Sequence, residues 1–202
     1  DVMRDENTDS FAKTARIAPN EESYFRSGIF KHAKSRIVWL LILMISATIT
    51  QNITNRYEAA FAAVPLLVSF MPMIMDTGGN CGSQSSTLII RGLALDEIKF
   101  KDIFRVIFKE FRIALLVGIG LAIANGIRIF IMYKDLKMAI VIALSLSLIV
   151  IIAKIIGCTL PLFAKKLHMD PAIMASPLIT TVVDTCSIMI YFSIATRVFT
   201  LS

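Results

Sequence analysis

From residue 37 onward the chain alternates long apolar runs with short polar ones, and the spacing predicts five membrane-spanning helices. The first covers residues 37–53, with Trp39 as an interfacial aromatic near its start, and runs into the polar turn Gln51, Asn52, Thr54, Asn55 and Arg56. The second is apolar over residues 59–75, interrupted by Pro65 and Pro72, and then passes into a glycine- and hydroxyl-rich stretch from Asp76 to Ser86. After a charged loop from Arg91 to Arg112 come a third span over residues 113–131, a polar link from Tyr133 to Lys137, and a fourth span over residues 138–163. Pro171, at the first position of a helix, opens a fifth over residues 171–199. At about 1.5 Å of rise per residue, each run approaches or exceeds the thickness of a hydrocarbon core of about 30 Å.

The segment ahead of these runs, residues 1–35, is polar. Thr8 and Ser10 are candidate caps for a short helix that stops before Pro19. It reads as a cytoplasmic connector arm and connector helix leading from an upstream domain into the membrane, with residues 36–202 forming the membrane domain. The chain begins at Asp1, shows no signal peptide, and reads as a portion of a longer protein.

Composition fits the pattern. Of the 202 residues, 56% are hydrophobic and 18% charged, and the mean hydropathy is +0.72. Soluble chains carry roughly a quarter charged residues, and a core of this size has no room for so many apolar side chains. A net charge of +6 would suit a nucleic-acid binder, but the charges lie between the apolar runs and lack the basic and aromatic interleaving of such a surface. Their placement orients the chain instead. Arg26, Lys31, Lys34 and Arg36, then Arg91, Lys99, Lys101, Arg105, Lys109 and Arg112, then Lys165 and Lys166 fall on one side. The opposite loops hold Arg56, then Arg128, Lys134 and Lys137, with Arg197 near the end. This predicts a multi-pass protein of the cell membrane with its N-terminus inside and its C-terminus outside. The three cysteines are spaced for neither disulfides nor zinc, and His32 and His168 sit beside basic clusters without partner ligands. No internal repeat is visible and the span count is odd, so a pore needs a second copy of the chain.

Polar groups inside the spans carry the chemistry. Asp184 falls near the middle of the fifth span, where an ionisable side chain costs about 2.5–3.5 kcal/mol and marks a water-filled path, an ion or a partner charge. Pro177, Thr180, Thr181, Asp184, Ser187 and Tyr191 share a helical stripe with it. The structural alternative is an ion pair between Asp184 and Lys154 of the fourth span. In the second span, Gly78, Gly79 and Gly82 let helices approach and uncover backbone carbonyls, while Asn80, Ser83, Gln84, Ser85 and Ser86 offer polar atoms. Oxygens suit a hard divalent cation, and two copies of Asp184 about a two-fold axis would match its charge. Asp76-Thr77-Gly78 also spells the aspartic-protease loop, which makes an intramembrane aspartyl protease the rival enzyme reading, although the tripeptide lies in a glycine-rich membrane segment rather than between strands.

The run from Pro72 to Ala94, with its core Thr77-Gly78-Gly79-Asn80-x-Gly82-x-Gln84, resembles the second-helix motif of MgtE magnesium channels. The fifth span is similar to that family too, with Asp170-Pro171-Ala172 at its start, then Pro177-Leu178 and Asp184. The resemblance implies an all-α membrane protein of five helices per chain, a homodimer with its pore on the two-fold axis. It implies a wall built from Gly78, Gly79, Asn80, Gln84, Ser176, Thr180, Thr181 and Ser187, with a hydrated magnesium ion held by paired Asp184. It further implies passive magnesium entry into the cytoplasm rather than enzymatic work, and regulation by an upstream domain absent from this sequence. Lipid and a second copy are the expected partners, and nucleic acid is not. Rival readings are a secondary carrier of other divalent cations or small solutes, and a non-transporting scaffold.

Overall fold

The structure, a computed structural model, describes residues 28–168 and 171–200. The connector arm with its capped helix near Thr8 and Ser10 lies outside the described residues, as do Asp170 and the side chains of Lys31, His32, Ser35, Trp39 and residues 172–178, Ser176 among them.

Every described regular element is a helix: α1 (Ile29–Asn55), α2 (Glu58–Ala63), α3 (Leu66–Ala94), α4 (Ile103–Tyr133), α5 (Leu136–Lys166) and α6 (Pro171–Val198). Among the described residues, four stretches are long and apolar enough to cross a membrane: Arg36–Asn55 in α1, Phe100–Tyr133 ending in α4, Leu136–Lys166 as α5, and Ile179–Val198 in α6. The chain is a multi-pass membrane protein. The count differs from the five spans of the sequence pattern because of α3. That helix has the length, 29 residues, but its polar middle turns keep it from ranking with the others.

Local chemistry sets the breaks. Pro65 disfavours helical geometry in the residue before it, and Val64 sits at φ −136° and ψ 80°, separating α2 from α3. Lys134, in the left-handed region at φ 54°, ends α4, and the Asp135 side chain accepts from the Met138 N–H to cap α5. The Asp76–Ser86 stretch brings no turn: α3 runs through it as one helix, so the glycines serve packing and their carbonyls belong to the helical ladder. The charged loop expected from Arg91 to Arg112 is also much shorter, because α3 continues to Ala94 and α4 begins at Ile103. The extra turns of α4 are amphipathic. Val106 and Glu110 turn inward, while Arg105, Lys109 and Arg112 stay exposed.

α5 is the hub, packing against α4, α3 and α6. Its inner face contributes Ile142, Leu146, Ile149, Val150, Ala153 and Leu162, all buried. α1 leans mainly on α6, where the Thr50 and Thr185 hydroxyls meet at 3.2 Å, and it leaves Leu40, Leu41, Ile42, Met44 and Ile45 on the outside. In a bilayer that apolar face meets lipid tails. The short links between α3 and α4 and between α5 and α6 bring Lys99, Lys101, Arg105, Lys165 and Lys166 to one end of the bundle, where Lys166 lies 4.4 Å over the Phe100 ring.

The tightest crossing joins α3 to α5. A Cβ built on Gly157 would run into the backbone of Gly82, and one on Gly82 would come within 2.9 Å of Ile179 Cγ2 and 3.3 Å of the Ala153 carbonyl. With lipid tails as apolar as the side chains, close backbone approach supplies the dispersion contact that holds such helices together. Gly157→Ala must push two backbones apart and is expected to lower stability by about 1–3 kcal/mol. Gly120→Ala, with open space around its new methyl, should stay within about 0.5 kcal/mol of the parent. Thermal unfolding of both variants in one detergent checks the contrast.

Candidate functional site

α3 has two faces that share a polar character and differ in everything else. Its inner face packs Gly78, Cys81, Gly82, Ser85 and Ile89 into the bundle. Its outer face exposes Asp76, Asn80, Gln84 and Thr87, with Gly79 and Ser83 half-buried at the edge. Some of these groups satisfy one another: the Asn80 amide donates to Asp76 Oδ2 at 3.0 Å, and the Thr87 hydroxyl donates to the Ser83 carbonyl at 2.9 Å. A carboxylate and two carboxamides on one helix face still present more polar atoms than hydrocarbon tolerates.

The outer face forms one wall of a groove. Its narrower part, about 270 Å³, is lined by Met75, Asp76, Gly79, Asn80 and Ser83 of α3 and by Thr180 and Asp184 of α6. A wider part, about 650 Å³, continues along Asn80, Ser83, Gln84, Thr87 and Leu88. Gly79 sits at the floor of the narrow part, where a Cβ would lie at ordinary contact distance, 3.9 Å from Asp184 Oδ1 and 4.0 Å from Thr180 Cγ2. Both carboxylates of the region, Asp76 and Asp184, therefore open onto the same groove on the outside of the bundle.

The structure divides the residues singled out from the sequence. Gly79, Asn80, Gln84, Thr180 and Asp184 line the groove. Gly78 and Ser187 pack against each other inside the bundle, where a Cβ on Gly78 would meet Ser187 Oγ at 2.6 Å. Thr181 is half-buried outside the groove lining, and the Ser176 side chain lies outside the described residues. Tyr191, on the same stripe of α6, donates its hydroxyl to the Leu67 carbonyl at 2.9 Å in the core. Asp76-Thr77-Gly78 is a turn of continuous helix, with the Thr77 hydroxyl bonded to the Met73 carbonyl at 2.7 Å, so the protease loop it spells is not formed. Among the described residues, no three His, Cys, Asp or Glu side chains converge as a metal cluster.

Lys154 is engaged by a residue the sequence reading left in a loop. Its ammonium lies 3.8 Å from Glu110 Oε2 of α4 and donates to Ser85 Oγ of α3 at 3.3 Å, while Ser85 donates to the same Glu110 oxygen at 2.6 Å. Ser85, Glu110 and Lys154 are 0%, 6% and 5% exposed. Charge cancels within the cluster, which is how two ionised groups survive where each alone would cost about 2.5–3.5 kcal/mol. The signal for Glu110 was present. Val106, Glu110, Ala114 and Gly118 recur every fourth residue and form the buried stripe of α4.

Comparison with known proteins gives a consistent result. The family model described as MgtE, divalent cation transporter, matches residues 71–194. The chain is 33% identical over 195 residues to the magnesium transporter MgtE of Thermus thermophilus, covering 96% of this chain and 43% of that protein. It is 36% identical over 196 residues to the magnesium transporter MgtE of Bacillus subtilis, covering 97% and 43%. The corresponding protein of Enterococcus faecalis is 29% identical over 195 residues, covering 96% and 42%. The chain thus spans less than half the length of these relatives.

Removing one member of the buried charge pair tests its balance. Lys154→Met leaves the Glu110 carboxylate without its counter-charge and is expected to cost about 3–5 kcal/mol. Adding Glu110→Gln removes the second charge and should recover most of that loss, a pattern read from the unfolding temperatures of the single and double variants.

Proposed function

Because the chain belongs to the MgtE family of divalent cation transporters, we propose that it moves magnesium ions across the membrane along the groove between α3 and α6. The observation that carries this reading is the polar wall of α3 facing Asp184 across an open groove. In a bilayer that wall needs water, an ion or protein against it. A second copy of the chain, related by a two-fold axis, closes the groove into a pore and makes α3 the fifth membrane span. Cyclic dimers are the commonest oligomers, and the closed path then presents two Asp184 carboxylates to one doubly charged ion.

Chemistry favours a hydrated ion. Magnesium keeps near-octahedral coordination and dehydrates reluctantly. Asp184 attracts the ion, while Asn80, Ser83 and Thr180 provide hydrogen-bond partners for its waters. Asp76 adds a second negative charge to the same groove, one the sequence reading left without a role. The basic end of the bundle, with Lys99, Lys101, Arg105, Lys165 and Lys166, faces the cytoplasm by the positive-inside rule. Flow is then passive entry down the electrochemical gradient.

Magnesium flux into proteoliposomes tests the reading. Asp184→Ala should lower flux by more than tenfold, the factor that about 1.4 kcal/mol of lost attraction gives. Asp184→Asn should retain part of the flux with poorer preference for divalent over monovalent cations, and Asp76→Asn should weaken apparent affinity with a smaller loss. Unchanged flux in Asp184→Ala overturns the assignment. Flux that requires an imposed pH gradient replaces the channel with a coupled carrier.

A further inference from the structure

Ser85, Glu110 and Lys154 form a buried cluster and are not among the residues that line the groove. We propose that this cluster is a positioning device that sets the rotation of α3 about its own axis, so that the polar wall of that helix faces the groove. The proposal rests on the reading of α3 as the wall of a cation path.

The geometry supports this in three steps. At 100° per residue, Ser85 points directly away from Asp76 and sits about 140–160° from Asn80, Ser83 and Thr87, so holding Ser85 on one side aims the others to the opposite side. The remaining contacts of α3 in this region are close packing: Gly78 lies against Ser187, Val183 and Ile149, Gly82 against Ile179, and Gly157 against the Gly82 backbone. Such contacts set how near the helices come, and each contributes little directional preference of its own. The cluster is directional. Ser85 accepts from Lys154 at 3.3 Å and donates to Glu110 at 2.6 Å, so its single hydroxyl is fixed by two neighbours on two different helices, α5 and α4. Charge-assisted bonds of this kind, shielded from water, add a directional hold on the azimuth of α3 to that of the packing. Glu110 and Lys154 also face each other across 3.8 Å, which keeps the site neutral and lets the hydroxyl be held from both sides.

Ser85 is therefore a positioning residue, acting through the orientation of α3 rather than on the ion. The test uses the full chain with its three cysteines replaced by alanine, and reads the azimuth of α3 directly. Single cysteines are placed at Thr87, exposed on the groove side, and at Ile89, buried on the other, and their rates of modification by a water-soluble thiosulfonate reagent are compared. In the parent, the Thr87 position should react at least about tenfold faster. Ser85→Ala should cut that ratio by threefold or more and reduce magnesium flux in proteoliposomes, with the unfolding temperature within two or three degrees of the parent. Glu110→Gln should do the same and also lower stability, because Lys154 is left uncompensated. Adding Lys154→Met to Glu110→Gln leaves an amide oxygen for Ser85 and no buried charge, and should restore the ratio and flux towards parental values.

A Ser85→Ala protein with an unchanged ratio and unchanged flux overturns the proposal. So does a loss of stability without any change in the ratio, which makes the cluster a structural pair alone. Loss of flux in the double variant while its ratio is parental also overturns it, because the charges then act in transport itself. Absence of magnesium flux in the parent refutes the transport reading, and the reactivity ratio still decides the rotation.

Discussion

A hydrocarbon interior offers no hydrogen bonds, so every polar atom carried into it must find protein, water or an ion. On α3 this constraint acts twice. The inward hydroxyl of Ser85 is met by Glu110 and Lys154 in a closed, neutral cluster. The outward side chains of Asp76, Asn80, Gln84 and Thr87 are left facing a groove that also receives Asp184 from α6. One face of the helix is finished within the chain, and the other calls for something from outside it.

Glycine lies on both faces. Without Gly82 and Gly157 the backbones of α3 and α5 could not meet, and Ser85 would be carried away from the α4 and α5 side chains that hold it. The neighbouring glycines differ: Gly78 is closed against Ser187 and Val183, whereas Gly79 borders the groove beside Asp184 and Thr180. α5, buried along its inner face, is the element against which α3, α4 and α6 pack, while α1 stands at the margin with most of its apolar side chains exposed.

Much of this was legible before any fold was known. The apolar runs located α5 and α6, and the end of α4, within a few residues, Pro171 marked the start of α6, and Asp184 stood out as an acid in a membrane span. Three readings did not survive contact with the fold. The glycines from Asp76 to Ser86 were expected to uncover backbone carbonyls as well as to let helices approach, yet α3 runs through the stretch as one helix and only the close approach is realised. The charged segment from Arg91 to Arg112 looked like a loop because its net polarity hid an amphipathic start to α4. The structural alternative that paired Lys154 with Asp184 gives way as well, because the Lys154 ammonium lies beside Glu110, a residue that had been read as part of that loop.

The sequence by itself determined which segments are solvated by lipid and which polar side chains are carried in with them, because hydropathy and helical rise are properties of consecutive residues. Tertiary structure alone decided how those polar groups were divided: Glu110 and Ser85 to Lys154, Gly78 and Ser187 to the packed interior, Gly79 and Asn80 to the groove beside Asp184. The physical reason is that a helix carries its side chains all around its axis. Which of them meet depends on how each helix is turned towards neighbours contributed by distant parts of the chain.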